Sequence, residues 1–278
     1  MCEHCSPQLH TDGYPLLSLG PWASEKLHYL DYYAALFTQG MKNQWETTAY
    51  IDLFAGPGLC MLGNGVSHVV EGSPLVALRQ RTPFTHYVFV DTDKGHAQAL
   101  DSRSRGLAPN SAKLVRVGDC NDASVLADIL AFIPAEALCL AFIDPFSWKI
   151  HFDTVSALTR SRRVDILLVF QLGGIKRAVE ARPASLNRFF GDEGAWQTVY
   201  RSALPRRDTR AMLDYYRRRL STLGYLKENY PSEVAVVNTK NVPIYYLVHA
   251  TRHPRGQDFW RKAIQRTADG KRKLPGIW

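Results

Sequence analysis

From residue 49 onward, short apolar runs alternate with stretches whose apolar positions recur every three or four residues. The runs near 49 to 54, 86 to 91, 113 to 117, 138 to 143 and 165 to 170 have strand length, and the stretches between them have helical periodicity. Strand and helix in alternation predict an α/β fold with a parallel sheet covered by helices on both faces. Past residue 175 the rhythm changes. Residues 175 to 231 carry helical stripes, notably Leu213, Tyr216, Leu220 and Leu223 ended by Gly224, without a convincing strand. Two β-rich runs follow, Glu233 to Asn238 and Ile244 to Ala250, too close together for a parallel crossover, so they predict an antiparallel hairpin.

Upstream of residue 22, Pro7, Gly13, Pro15, Gly20 and Pro21 break any period, which predicts an extended arm anchored by Leu16, Leu17 and Trp22. Ser24 is expected to cap a helix with the stripe Leu27, Leu30, Ala34 and Phe37, ended by Gly40, and one more helix is expected before the first strand. Between the first two strands, Gly63-Asn64-Gly65 reads as a hairpin turn, and Ser73 with Pro74 as the N-cap and first position of a helix from Leu75 to Gln80. The expected organisation is an arm with helices over 1–48, a sheet core over 49–174, a helical insertion for substrate recognition over 175–231, and over 232–278 a hairpin completing the sheet, a helix and a basic tail.

Composition narrows the class. With 278 residues, 46% of them hydrophobic, the chain can bury a full core. No apolar run reaches the roughly 20 residues that span a bilayer, and the polar start lacks a signal-peptide core, so a cytoplasmic protein without membrane contact is expected. Five cysteines without framework spacing predict reduced thiols. Cys2 and Cys5 lack a second ligand pair, so no metal is expected; Cys60, Cys120 and Cys139 are read as small core residues. The net charge of +8 is concentrated late, and Arg206, Arg207, Arg210, Arg217 and Arg218 of the helical block are candidate contacts to the phosphates of a nucleic acid. A solvated helix face is the competing explanation.

Candidate chemistry sits at the strand ends, where Asp52, Asp91, Asp119 and Asp144 recur. The carboxyl edge of an open α/β sheet is where ligands bind, so these acids are expected to converge on one crevice. Tyr50-Ile51-Asp52-Leu53-Phe54-Ala55-Gly56-Pro57-Gly58 is a strand breaking into a turn with two glycines, which lets backbone approach a ligand. Five parallel strands and a terminal hairpin resemble the S-adenosylmethionine-dependent methyltransferase fold, implying a seven-stranded Rossmann-like sheet in the order 3-2-1-4-5-7-6. A nicotinamide-dependent oxidoreductase fits less well, because its sheet continues with crossovers and its fingerprint has a third glycine. The resemblance implies S-adenosylmethionine as cofactor, with Asp52, Phe54, Ala55, Gly56 and Gly58 around its amino-acid part. Asp91, with Asp93 as competitor, would accept from the ribose hydroxyls. Asp119 would accept from the adenine amino group, or cap the next helix, with Cys120 or Asn121 along the base.

Ile143-Asp144-Pro145-Phe146-Ser147-Trp148 resembles the Asp-Pro-Pro-Tyr motif of amino-group methyltransferases, with Phe146 at the second proline and Ser147 at the aromatic. The likeness implies that Asp144 and the Pro145 carbonyl orient a base amino group while Phe146 or Trp148 stacks on the base. Gly20-Pro21-Trp22 with Lys26 and Leu30, the Asp52 to Gly58 string, Gly72-Ser73-Pro74, Phe89-Val90-Asp91, Ile143-Asp144-Pro145 and Tyr245 to Gly256 together resemble the three-Cys-motif partner protein family. That implies a bacterial, methyltransferase-like protein paired with a cysteine-motif partner of radical S-adenosylmethionine type. The expected function is methyl transfer to a nucleic acid, RNA or DNA; the alternative is a non-catalytic binding module that works with that partner.

Overall fold

The computed structural model describes residues 9–20, 22–63, 68–145, 148–171, 178–179, 181–203, 210–226, 233–237 and 242–265. Its main sheet contains β2 (Thr48–Asp52), β5 (His86–Asp91), β6 (Ala112–Val117), β7 (Leu138–Ile143), β8 (Arg163–Gln171), β9 (Glu233–Val237) and β10 (Pro243–Ala250). They are ordered β6-β5-β2-β7-β8-β10-β9, which is 3-2-1-4-5-7-6 when these seven are counted along the chain. The pairs from β6 to β8 are parallel, while β10 runs antiparallel to both β8 and β9. This is the methyltransferase-type Rossmann-like topology expected from the strand pattern.

Alternate side chains of these strands enter different cores. Ile51, Val88, Ala141 and Leu168 join one cluster, which includes Val125 and Ile129 of α4 (Ala123–Phe132) and Val155 and Leu158 of α5 (Phe152–Ser161). Tyr50, Phe89, Phe142 and Leu167 join the other, with Tyr33 and Phe37 of α1 (Ala23–Met41), Leu78 of α2 (Ser73–Leu78) and Leu100 of α3 (Lys94–Ser104). Burial on both faces explains why the strands read as continuous apolar runs. The helical block supplies α6 (Pro183–Phe190), α7 (Ala195–Ala203) and α8 (Arg210–Ser221) to the first cluster, and α9 (Pro254–Ile264) closes the second through Trp260, Ala263 and Ile264. Leu213, Tyr216 and Leu220 are buried in α8, as their spacing requires. No described helix is long and apolar enough to cross a membrane.

Local expectations are corrected at several points. The arm is not wholly irregular: β1 (Leu17–Leu19) pairs parallel to β3 (Leu59–Leu62), which pairs antiparallel to β4 (His68–Glu71). The predicted hairpin is therefore present, although its turn residues 64–67 lie outside the described residues. Trp22 is 41% exposed and is no anchor. It occupies the N-cap position of α1, where Ser24 was expected. Gly40 lies within that helix; a Cβ there would come 2.4 Å from Phe259 Cζ, so its small size admits α9 instead of ending α1. Residues 42–47 form turns, without a second helix. Ser73 is the first residue of α2, behind an extended Gly72; its side chain does not cap the helix and instead acts on Asp52, pulling that carboxyl down.

Candidate functional site

Asp52 ends the central strand and is fully buried. Its Oδ1 accepts from the Phe54 amide at 3.3 Å, and its Oδ2 accepts from the Tyr50 hydroxyl at 3.2 Å. Burial pushes the Asp52 carboxyl up to about 7, with Ser73 and the Phe54 amide pulling it down and Asp144 adding to the rise. Its role is to shape the turn. Gly56 (φ +63°) and Gly58 (φ +85°) take left-handed conformations that favour glycine, and the turn is buried from Ala55 to Gly58. Arg103 on α3 reaches this turn and the arm together, donating to the carbonyls of Pro57 at 2.7 Å and Pro15 at 2.9 Å and to Asp12 at 2.8 and 3.0 Å.

The neighbouring strand end is wired to the same turn. Asp91 Oδ2 accepts from the Gly56 amide, and Oδ1 accepts from the Asp93 amide at 2.8 Å with His96 Nδ1 3.5 Å away. Burial acts to raise the Asp91 carboxyl, but these donors outweigh it and hold the group below the usual range, while the same contact raises His96. Asp91 is thus a fixed carboxylate. Asp93 has a separate task, since its side chain caps α3 by accepting from the His96 amide at 2.9 Å.

After β6, Asp119 Oδ1 accepts from the backbone and side-chain nitrogens of Asn121 at 2.9 and 2.8 Å. The N-cap of α4 is Asp122, so Asp119 does not cap that helix. Its second oxygen takes no hydrogen bond among the described residues. Asn121 also donates to the Lys149 carbonyl at 2.8 Å and accepts from the His151 amide at 2.9 Å, stitching the loop after β6 to the loop after β7. Cys120 is buried, as are Cys60 and Cys139, and burial pushes all three thiols up to about 12, which makes them poor nucleophiles.

After β7, Asp144 forms an ion pair with Lys26, whose stem is buried on α1. The Pro145 carbonyl accepts from the Gln171 side-chain amide at 2.7 Å. Both groups expected to hold a target amine therefore already have internal donors. Trp148 is 6% exposed and packs edge-on against Phe170 and Phe189, so most of its ring serves the core. Phe146 lies outside the described residues.

These strand ends open on one cavity of 1140 Å³. Its wall includes Phe54, Asp91, Asp93, Asp119, Cys120, Asp144 and Trp148. Asp52, Ala55, Gly56, Gly58 and Pro145 are not on it; they act from behind. Arm residues Ser18 to Gly20, together with Lys26, His96, Lys149, His151, Gln171, Arg182, Arg188 and Tyr245, also line it and were not picked out as site residues from sequence, although Gly20, Lys26 and Tyr245 belong to the motif set. Beyond that set, the spacing of Ser185 and Arg188 carried a signal, that of one helix face.

The arginine patch is thinner than expected. Arg210 pairs with Glu233, Arg217 lies 3.4 Å from the same carboxylate, and the Glu233 side chain is 2% exposed. Those two cations tie α8 to β9. Arg218 is exposed, stacked on Tyr215 at 5.5 Å, while Arg206 and Arg207 lie outside the described residues. Among the described residues no group of three or more His, Cys, Asp or Glu is placed to hold a metal ion.

No family model and no curated protein matches this chain. Among solved structures it is similar to Trm1 from Pyrococcus horikoshii, a complex with S-adenosyl-L-methionine, at 11% identity and TM-score 0.44, over 83% of this chain and 57% of that one. It is similar to geranyl diphosphate C-methyltransferase from Streptomyces coelicolor A3(2) at 12% identity and TM-score 0.39, over 78% of each chain. TYW2 from M. jannaschii, in complex with AdoMet, is 10% identical with TM-score 0.37, over 77% of this chain and 73% of that one. These likenesses are distant, and the fold assignment stands on the strand order itself.

Proposed function

We propose that this chain is an S-adenosylmethionine-dependent methyltransferase whose acceptor is a nucleic acid. The observation that carries the reading is the meeting of Asp91, Asp119 and Phe54, from three neighbouring strand ends, on one cavity. A carboxylate offers about four lone-pair sites. Asp91, already holding two backbone amides and with His96 beside it, retains acceptor capacity for a ribose hydroxyl, and the spare oxygen of Asp119 suits an exocyclic amine. The cavity exceeds the roughly 300 to 1,000 Å³ of a typical ligand pocket, which leaves room for an acceptor beside a nucleoside-sized cofactor. Bound there, the cofactor supplies a methyl activated as a sulfonium; the chain's own contribution is alignment and exclusion of water.

The amino-group version of this reading is weakened, because Lys26 and Gln171 donate to Asp144 and Pro145. The same observation favours the second reading, a non-catalytic binding module. Calorimetric titration of S-adenosylmethionine into the protein and its Asp91→Ala variant tests the cofactor step. Binding that Asp91→Ala abolishes supports it; no heat and no thermal shift at millimolar cofactor rejects it. Transfer of labelled methyl to total RNA or DNA then separates enzyme from module, since the module binds and does not transfer.

A further inference from the structure

The cavity wall is divided in charge. Asp91 and Asp93 come from the end of β5, whereas Lys149, Arg182 and Arg188 come from segments following β7 and β8, across β2 in the sheet; Asp119 lies between, joined through Asn121 to the Lys149 carbonyl. Ser185 and Arg188, one turn apart on α6, line the cavity together with Arg182, the N-cap of that helix, while Leu186, Phe189 and Phe190 of α6 enter the core. The three cations are exposed and, among the described residues, make no ion pair or side-chain hydrogen bond. Arg210 and Arg217 are neutralised by Glu233 and Arg103 by Asp12, so this trio stands out among the described cations in facing the cavity unpartnered. The field of Arg188 reaches inward: after burial, it is the next influence that lowers the His151 imidazole, against Asp119 and Asp153, which raise it.

We infer that Lys149, Arg182 and Arg188 form an anion site on the acceptor side of the cavity, which grips a phosphate of the methyl acceptor. Arginine presents a fork matched to phosphate oxygens, and lysine adds a point charge. Asp91 and Asp93, across β2, repel the same group, which orients the acceptor away from the cofactor side. The inference deepens the proposed function and rests on it for the word acceptor. Anion binding itself is measurable without cofactor.

The test is calorimetry on the full chain, with inorganic pyrophosphate, adenosine 5′-monophosphate and a single-stranded oligoribonucleotide as probes. Loss of one charge-assisted contact lowers affinity by about tenfold or more, so the Arg182→Gln, Arg188→Gln double variant is expected to bind each phosphate probe about a hundredfold more weakly. The control Arg105→Gln removes an exposed charge that is not on the cavity wall and should change affinity less than twofold. Cofactor affinity should stay within twofold in every variant, which also reports that they fold. Stronger binding of the oligomer identifies the polymer as phosphate source; equal binding of the monophosphate keeps the site and assigns it a small phosphorylated acceptor. Unchanged affinity in the double variant, or an equal loss in Arg105→Gln, overturns the site. Absent cofactor binding with intact phosphate binding would instead remove the methyltransferase reading alone.

Discussion

Asp91 Oδ2 accepts a hydrogen bond from the Gly56 amide at 2.8 Å, joining the ends of two adjacent parallel strands across 35 positions of sequence. The acid that faces the cavity therefore also holds the glycine turn in place. Any loss of Asp91 acts on both.

Asp91→Asn replaces one acceptor oxygen with a donor, so one of the two amides it holds must face an NH₂ group. We expect a stability loss of about 1 to 3 kcal/mol and at least tenfold weaker cofactor binding. Urea unfolding with calorimetry checks both; unaltered cofactor affinity would remove Asp91 from the binding wall.

Arg103→Ala is expected to free the arm from the turn. Its guanidinium, 6% exposed, carries the bonds to Asp12, Pro15 and Pro57, so about 2 kcal/mol of stability should be lost. Hydrogen exchange should rise over residues 10–19. The Arg103 bond holds the Asp12 carboxyl well below the usual carboxylate range. That stabilisation is present above the unfolded value near 3.8 and is lost progressively as pH falls from there through the lower folded value, so wild-type arm protection should stay level from pH 6 to 5 and decline below about pH 4.

Asp52 predicts an opposite pH trend. Its carboxyl is raised by burial from 3.8 to about 7, so between those values the folded state binds more protons than the unfolded state. Its contribution makes stability fall as pH rises from about 4 to about 7. Asp52→Asn keeps an acceptor for the Phe54 amide and cannot ionise. Its unfolding free energy, measured across that window, should fall less than that of wild type; parallel curves would refute the assignment.

Lys26 and Asp144 form a mostly buried pair, with side chains 10% and 19% exposed. Lys26→Met leaves an uncompensated carboxylate, and a loss of about 3 to 5 kcal/mol is expected. The double variant Lys26→Met, Asp144→Asn should regain most of it. If methyl transfer returns along with stability, Asp144 orients no acceptor.

Much of the sheet was legible because strands buried on both faces must be apolar throughout, and because five residues cannot span a parallel crossover. Asp91 and Asp119 were legible as strand-end acids for the same topological reason. Local capping was less so: Ser73 has the composition of an N-cap, but the helix starts one residue earlier than expected, and the Ser73 side chain acts on buried Asp52. Gly40 has the composition of a helix stop, yet the close approach of Phe259 is what requires it.

What the sequence determined by itself was the order and sense of the strands, and hence the edge on which ligands gather. Only the tertiary structure decided which charges remain available there. Asp144 and Lys26 are 118 residues apart, and Arg210 and Glu233 belong to different elements. A charge is cancelled by whatever the fold brings within a few ångströms, and no periodicity along the chain records that distance.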